Sequence, residues 1–358
     1  MITIVGATGF TGTSIAKQLD KDGVSMRIVA RNEKKLHKLK AQLKDDCETA
    51  VADVTELNQL KTAIAGSKVV INAAGPFTTL GLKVVEECIN AGSHYLDITG
   101  EQQFIREVIE RFGASAVKNK VTVVPSCAFE YALADEAARF LERELGGLET
   151  FESTYVINGM FTSRGTKRSV LCALESASHQ LRNGQAEPIA AGSVSSFQHP
   201  DGKSYQRFPF PGGEVYLVPL HSRAKNISTF LTSEAPPAVL QLLSTTMPVA
   251  ARSPFFKGLL NFLIDRAEET PKNTGETTFS IYCEGNFKRK RMGLNIVGRD
   301  PYSLTAVIAS KVAQKLQSDT TVKTGVISAS MVDTAKGIMS ITQAESTTWQ
   351  SVEIKTVV

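Results

Sequence analysis

The first residues able to do chemistry are Gly6-Ala7-Thr8-Gly9-Phe10-Thr11-Gly12. They follow the apolar run Ile2–Val5 and open an amphipathic stretch, so backbone N–H groups and a helix N-terminus face any anion placed there. Gly6 permits a tight turn, Gly9 the close approach of a phosphate, and Gly12 close packing of helix on strand. Thr8, Phe10 and Thr11 complete this expected dinucleotide contact. Glycine-rich turns also occur without a ligand, so the reading depends on the residues that follow.

Near the end of the second apolar run, an NAD-type site would carry Asp or Glu to bond the ribose 2′-hydroxyl. This chain has Arg31 there, with Asn32, Lys34 and Lys35 behind it. A guanidinium holds a 2′-phosphate in a bidentate pair where a carboxylate would repel it, so NADP(H) is the expected cofactor. Lys34 and Lys35 read as a solvated helix start. Asp53, with Val54 beside it, either accepts a bond from the adenine amino group or caps the helix beginning near Glu56. The run Asn72-Ala73-Ala74-Gly75-Pro76-Phe77 presents small residues past which the nicotinamide ribose reaches the backbone. Phe77 is its first large side chain and is expected at the substrate.

Candidate proton-transfer groups are Asp97 and Glu101, which end the fifth apolar run. Tyr95 is a substrate contact or a packing residue. Arg164 and Thr166 open a helix in Ser163-Arg164-Gly165-Thr166-Lys167-Arg168, either as an anion site or as a capped, solvated helix start. Cys127 reads as an inert buried thiol. Cys47, Cys88, Cys127, Cys172 and Cys283 are scattered without a CxxC, and the five histidines are equally dispersed. Neither a disulfide framework nor a metal site is expected.

The elements that must position these groups alternate. Short β-rich runs at 2–5, 26–30, 48–53, 68–74, 94–98 and 121–126 are separated by stretches with helical periodicity, some ending in a capping glycine. Near-continuously apolar strands joined by helices imply a doubly wound parallel sheet of the Rossmann type. Farther on, strands are predicted at 151–159, 213–220, 226–232, 277–285 and 291–298, and helices at about 166–183 and 236–250. A long loop is expected over 185–212. The chain is thus α/β, with an NADP-binding Rossmann domain at 1–128 and an α+β substrate or dimerisation domain with a mixed or antiparallel sheet at 129–299. A helical segment at 300–358 is expected to return to the first domain.

The net charge of +4 is spread along 358 residues and suits anionic small molecules, not nucleic acid. Lys288–Arg291 reads as a solvated hairpin. No apolar run is long enough to span a bilayer. Met1 leads straight into the first strand, so a cytoplasmic protein without a signal peptide is expected, as a homodimer. The apolar stretch 247–264 reads as core or subunit contact, with a wall for a greasy substrate or a shallow membrane contact as the alternative.

None of the seven tyrosines has Lys four residues later, which argues against a short-chain dehydrogenase. Gly6–Gly12, Ala30–Leu36, Asn72–Phe77 and above all Ala91–Glu101 (AGSHYLDITGE) instead resemble the saccharopine dehydrogenase-like family, which includes saccharopine reductases and trans-acting enoyl reductases. Residues 300–316 resemble that family's helix after its last strand. The resemblance implies NADP(H)-dependent hydride transfer to a substrate held by the second domain. Departures at Ala128 and Glu130, and at Ser163–Thr166, imply a refitted pocket. Reduction of a C=C bond on an apolar, enoyl-type or lipid-like substrate is expected; the alternatives are imine (C=N) reduction and a non-catalytic NADPH sensor or scaffold.

Overall fold

The computed structural model describes residues 1–44, 47–159, 163–175, 178–189, 193–251, 253–266, 274–332 and 337–354. The chain forms two compact units, one of residues 1–100, 104–132 and 302–341, the other of 101–103, 133–301 and 342–358.

The first unit holds a seven-stranded parallel sheet of β1 (Ile2–Val5), β2 (Met26–Ala30), β3 (Cys47–Val51), β4 (Val69–Asn72), β5 (His94–Asp97), β6 (Thr122–Val124) and β15 (Gly325–Val326). Their order is β15-β6-β5-β4-β1-β2-β3. The central strands β1 and β4 are buried throughout, as a parallel sheet covered on both faces requires, whereas edge strand β3 exposes Glu48, Thr49 and Val51. The order reverses between β1 and β4, so both neighbour sequences leave a crevice outside their carboxyl ends, the general nucleotide position in such sheets. The connecting helices are α1 (Phe10–Lys21), α2 (Glu33–Lys40), α3 (Leu57–Ile64), α4 (Phe77–Asn90) and α5 (Gln102–Lys118).

Six strands were legible from apolar runs. The seventh, β15, comes from the tail, where two residues are too few to show a period.

The second unit is built on a mixed sheet of nine strands: β7 (Thr150–Asn158), β8 (His179–Arg182), β9 (Gln185–Pro188), β10 (Ser195–Gln198), β11 (Ser204–Pro209), β12 (Asn226–Ser233), β13 (Thr278–Phe287), β14 (Lys290–Arg299) and β16 (Thr348–Glu353). Among the described residues β7 and β12 pair in parallel and the other ladders are antiparallel. Its helices include α7 (Arg164–Glu175), α8 (Glu214–Leu217), α9 (Pro237–Ala251) and α10 (Pro254–Arg266), and α7, α9 and α10 pack on one another. α6 (Phe129–Leu145) runs from the first unit into the second, α11 (Pro301–Ser318) lies almost wholly in the first, and α12 (Gly337–Gln343) precedes β16.

Four expectations are corrected. Residues 213–220 are helical, α8 followed by a 3₁₀ turn at Val218–Leu220; their alternating pattern serves instead to bury Glu214, Val215, Leu217 and Val218. Residues 185–212 are not a loop but carry β9, β10 and β11, whose polar exposed faces hide the strand signal. The predicted helix over 166–183 ends at Glu175 and gives way to β8, and the tail ends in β16, paired with β14. Lys288–Arg291 does form the expected hairpin, turning through Lys288 at φ 55° between β13 and β14.

Glycine positions supply a test. A Cβ on Gly12 would lie 2.4 Å from the Gly6 carbonyl oxygen, a backbone atom that cannot move aside, whereas one on Gly113 within α5 meets nothing within 4 Å. Gly12→Ala should destabilise by about 1–3 kcal/mol, and Gly113→Ala should stabilise by about 0.5–1 kcal/mol. Thermal unfolding followed by circular dichroism should show Tm shifts of opposite sign; shifts of the same sign would refute this reading of the first turn.

Candidate functional site

The glycine loop is fixed on both sides by backbone. Gly6 and Ala7 donate their N–H groups to Val29 O of β2 at 2.9 and 3.1 Å, and Ala73 N donates to Val5 O at 2.8 Å. Gly6 adopts φ 79°, and a Cβ there would sit 2.7–2.9 Å from backbone atoms of Ala73 and Ala74. The loop after β1 and the loop after β4 therefore touch at Gly6, which only glycine allows. Gly9 is the exposed N-cap of α1 and supplies no side-chain cap. The next N–H groups, of Phe10, Thr11 and Gly12, precede the first turn's bond from Thr13 N to Gly9 O. Thr8, Phe10 and Thr11 are half-buried, and Phe10 stands edge-on to Tyr302 at 4.9 Å. This cradle fits a pyrophosphate: backbone donors converge where no Cβ intrudes.

Arg31 is exposed just after β2 and has no hydrogen-bond or ion-pair partner among the described residues. It is close enough to Asp53 to help lower that carboxyl. The main causes of Asp53's depressed pKa are two bonds from Thr55, from N at 2.9 Å and Oγ1 at 2.8 Å. Asp53 thus builds the turn after β3. The N-cap position of α3 belongs to Glu56. Asn32 caps α2 by accepting from Lys35 N at 2.9 Å. Val54 packs against the apolar core below, and Ala73, Ala74 and Pro76 are half-buried beside exposed Gly75.

Several side chains expected at the substrate are inside the first unit. Phe77 is 6% exposed and packs on Phe104, ring centroids 5.7 Å apart, so it is core and not pocket wall. Tyr95 and Asp97 are fully buried. Asp97 Oδ1 accepts from Thr99 N at 3.0 Å and Ser126 N at 2.9 Å. Glu101, which belongs to the second unit, is buried directly ahead of α5. Burial pushes the Cys127 thiol well up, which removes it as a nucleophile.

In the second unit Ser163 caps α7: its Oγ accepts from Thr166 N at 3.1 Å and lies 3.0 Å from Thr166 Oγ1. The helix start at Arg164 and Thr166 is therefore a capped one, and Arg168 pairs with Asp265 at 2.5 Å. Of the apolar stretch 247–264, Leu259, Phe262 and Leu263 are about half-exposed on α10, with Arg266 stacked 4.0 Å over the Phe262 ring. Arg252 and the side chains of 247–251, 254, 255, 257 and 260 lie outside the described residues.

Sequence reading missed two polar clusters there. Glu214 is completely buried on α8, and its Oε1 accepts from Ser153 Oγ at 2.7 Å and from Tyr155. His221 Nε2 lies 2.7 Å from Asp135 Oδ1, both buried. Neither cluster has a local motif, because the partners come from different elements. A Ser280–His199–Asp201 chain also has the order of a catalytic triad, at 2.9 and 2.8 Å. However, the Ser280 hydroxyl donates to Asn295 Oδ1 at 2.6 Å and is buried, so it clasps β10 to the sheet instead of presenting a nucleophile.

Residues 2–124 match the family model described as the saccharopine dehydrogenase NADP binding domain. A Caenorhabditis elegans protein named lipid droplet localized protein is 28% identical over 245 residues, 61% of this chain and 58% of that one. A trans-acting enoyl reductase of Mycobacterium tuberculosis is 31% identical over 134 residues, 36% of this chain and 32% of that one. The chain thus spans less than two thirds of these relatives. A saccharopine dehydrogenase (L-Glu forming) from Saccharomyces cerevisiae shares the fold, with TM-score 0.66 and 99% of both chains covered at 13% identity.

Glu214 gives a pH test. Burial raises its pKa from the ordinary 4.5, against the opposing bonds from Tyr155 and Ser153, and Asp135 adds to the rise. A raised carboxyl contributes stability that is complete below about pH 4.5 and is lost as pH climbs through the folded value. Glu214→Gln keeps an acceptor for both hydroxyls and removes the titration. Calorimetric Tm measured from pH 4.5 to 8 should shift in favour of the variant as pH rises, and a pH-independent difference would contradict this.

Proposed function

We propose that this chain, whose residues 2–124 match the saccharopine dehydrogenase NADP binding domain, is an NADP(H)-dependent reductase that delivers hydride to an activated C=C bond of an apolar, enoyl-type substrate. The observation that carries the cofactor half is the Gly6–Gly12 cradle with unpaired Arg31 at the end of the neighbouring strand. The α1 N-terminus holds the pyrophosphate, Arg31 the 2′-phosphate, and the small residues Ala73–Pro76 let the nicotinamide ribose reach backbone. When bound, the dihydronicotinamide supplies a hydride equivalent. The chain's own contribution is binding, orientation and exclusion of water.

Two observations favour the C=C reading over imine reduction. Relatives named for enoyl reduction and for lipid droplets accompany half-exposed Leu259, Phe262 and Leu263 in the second unit, to which we assign substrate recognition. The basic helix start that would suit an amino-acid carboxylate is instead occupied by its own Ser163 cap. Glu101 remains the candidate for relaying a proton; Asp97, enclosed by backbone donors, is assigned a different role below.

Fluorescence titration tests the cofactor: Arg31→Ala should weaken NADPH by roughly 10- to 100-fold, in line with the loss of a charge-assisted bidentate pair, and leave NADH within about twofold. Tighter NADH than NADPH binding by the unaltered protein would overturn the assignment. Single-turnover oxidation of bound NADPH should be seen with trans-2-enoyl thioesters and not with cyclic imines. Stoichiometric NADPH binding without oxidation by either panel would make the chain a sensor or scaffold.

A further inference from the structure

A buried polar chain in the first unit crosses three neighbouring strand ends. Ala74 N donates to Asn72 Oδ1 at 3.0 Å, which fixes the amide so that Asn72 Nδ2 faces Tyr95 OH at 3.2 Å. Tyr95 lies close enough to Asp97 to feel its charge. Asp97 Oδ1 then accepts from Thr99 N and from Ser126 N. The ring closes through backbone, since Cys127 N donates to Asp97 O at 2.6 Å and Ser126 Oγ to Thr99 O at 2.5 Å. Asn72 and Asp97 are register partners on β4 and β5, and all three side chains are fully buried.

The chemistry of the chain is directional. Asn72 has its oxygen committed to Ala74 N, so it can only donate to the phenol. Tyr95 OH accepts from Asn72, and the Asp97 carboxylate, whose Oδ1 takes two backbone bonds, lies near the phenol. Burial together with the nearby Asp97 charge raises the Tyr95 pKa well above its ordinary value, so the phenol keeps its proton and stays a donor. None of these groups reaches the surface, so none touches a ligand. What they do reach is the backbone of Ala74, Thr99 and Ser126, the loops that follow β4, β5 and β6. Ser126 is held at φ 59°, a left-handed conformation that a serine keeps only when its surroundings fix it.

We infer that Asn72, Tyr95 and Asp97 are positioning residues that set the nicotinamide half of the cofactor site separately from its adenosine half. The inference rests on the placement of nicotinamide along Ala73–Pro76 proposed above. The adenosine half depends on other groups: the α1 N-terminus, Arg31 and the turn at Asp53, all on the β1–β2–β3 side of the sheet. Loosening the polar chain therefore releases one half of the dinucleotide and leaves the other held.

The test uses two ligands on the full chain: NADPH, and adenosine 2′,5′-bisphosphate, which carries the 2′-phosphate and no nicotinamide. Tyr95→Phe keeps the ring and deletes the hydroxyl, leaving Asn72 Nδ2 unmatched. NADPH should bind about 5- to 20-fold more weakly, the range expected for a buried hydrogen bond lost with its partners left unsatisfied. The bisphosphate should change by less than about twofold. Asp97→Ala is the second variant: it removes the acceptor shared by Thr99 N and Ser126 N. It should give the same split between ligands. Equal weakening of both ligands in either variant, or no change in the ratio of their affinities, would overturn the inference, because general destabilisation moves both alike. Failure of the unaltered protein to bind either ligand would sink the cofactor placement instead.

Discussion

The contact between Gly6 and the Ala73–Ala74 backbone constrains the whole carboxyl end of the first sheet. It is a steric condition, not an attraction: two loops from strands β1 and β4 approach so closely that any Cβ would collide. The approach is needed because β1 and β4 are adjacent at the point where strand order reverses. With the loops drawn together, the first turn of α1 starts immediately above β1, and Gly12 must in turn accommodate the Gly6 carbonyl. Donor N–H groups then emerge at the carboxyl end of the sheet with no Cβ on Gly9 or Gly12 to cover them. The glycines that define the turn thus leave open the geometry that an anion site requires.

A second consequence runs along the sheet. Once Ala73 is tied to Val5, the rest of the β4 loop must be held from its far side, and the groups available there are polar ones inside an apolar layer. Burying Asn72, Tyr95 and Asp97 is offset by the bonds they make within the unit: Asn72 to Ala74 N and Tyr95 OH, and Asp97 Oδ1 to two backbone donors. Such a set has few alternative arrangements, which makes it a source of precision for loops that otherwise carry only small residues.

Much of the first unit was legible because its physics is local. Strand runs, glycine spacing and Arg31 each express themselves within a few residues, and the parallel sheet follows from their alternation. The side-chain roles were less legible. Phe77, Tyr95 and Asp97 stand at strand and helix ends, where sequence gives a position along the element but not which way the side chain points. Phe77 turns down onto Phe104, and Tyr95, read as a substrate contact or a packing residue, is fully buried. Asp53 shows the opposite case: its two-residue spacing to Thr55 is a local turn signal, and the turn it makes leaves one carboxylate oxygen outside that pair of bonds.

In the second unit the controlling interactions are distant in the chain. Glu214 meets Ser153 from 61 residues away, Arg207 meets Glu152 from 55, His199 meets Ser280 from 81, and His221 meets Asp135 from 86. Every one of those side chains has a charge or proton that could have been read as chemistry, and each is instead matched by a partner from another element. Pairing of this kind hides strands as well: β9, β10 and β11 are mostly polar because their outward faces are solvated, and β11 keeps Arg207 over the Phe197 and Phe230 rings, at 5.3 and 4.1 Å. The reductase activity proposed above would widen this gap. In such an enzyme the reactive group arrives with the cofactor, so the protein needs no nucleophile–base motif of its own, and selection of an acceptor would rest on shape and apolar surface. Such features have no fixed residue spacing. The proposed cofactor site therefore announces itself in the sequence, while a substrate would be specified by a tertiary arrangement.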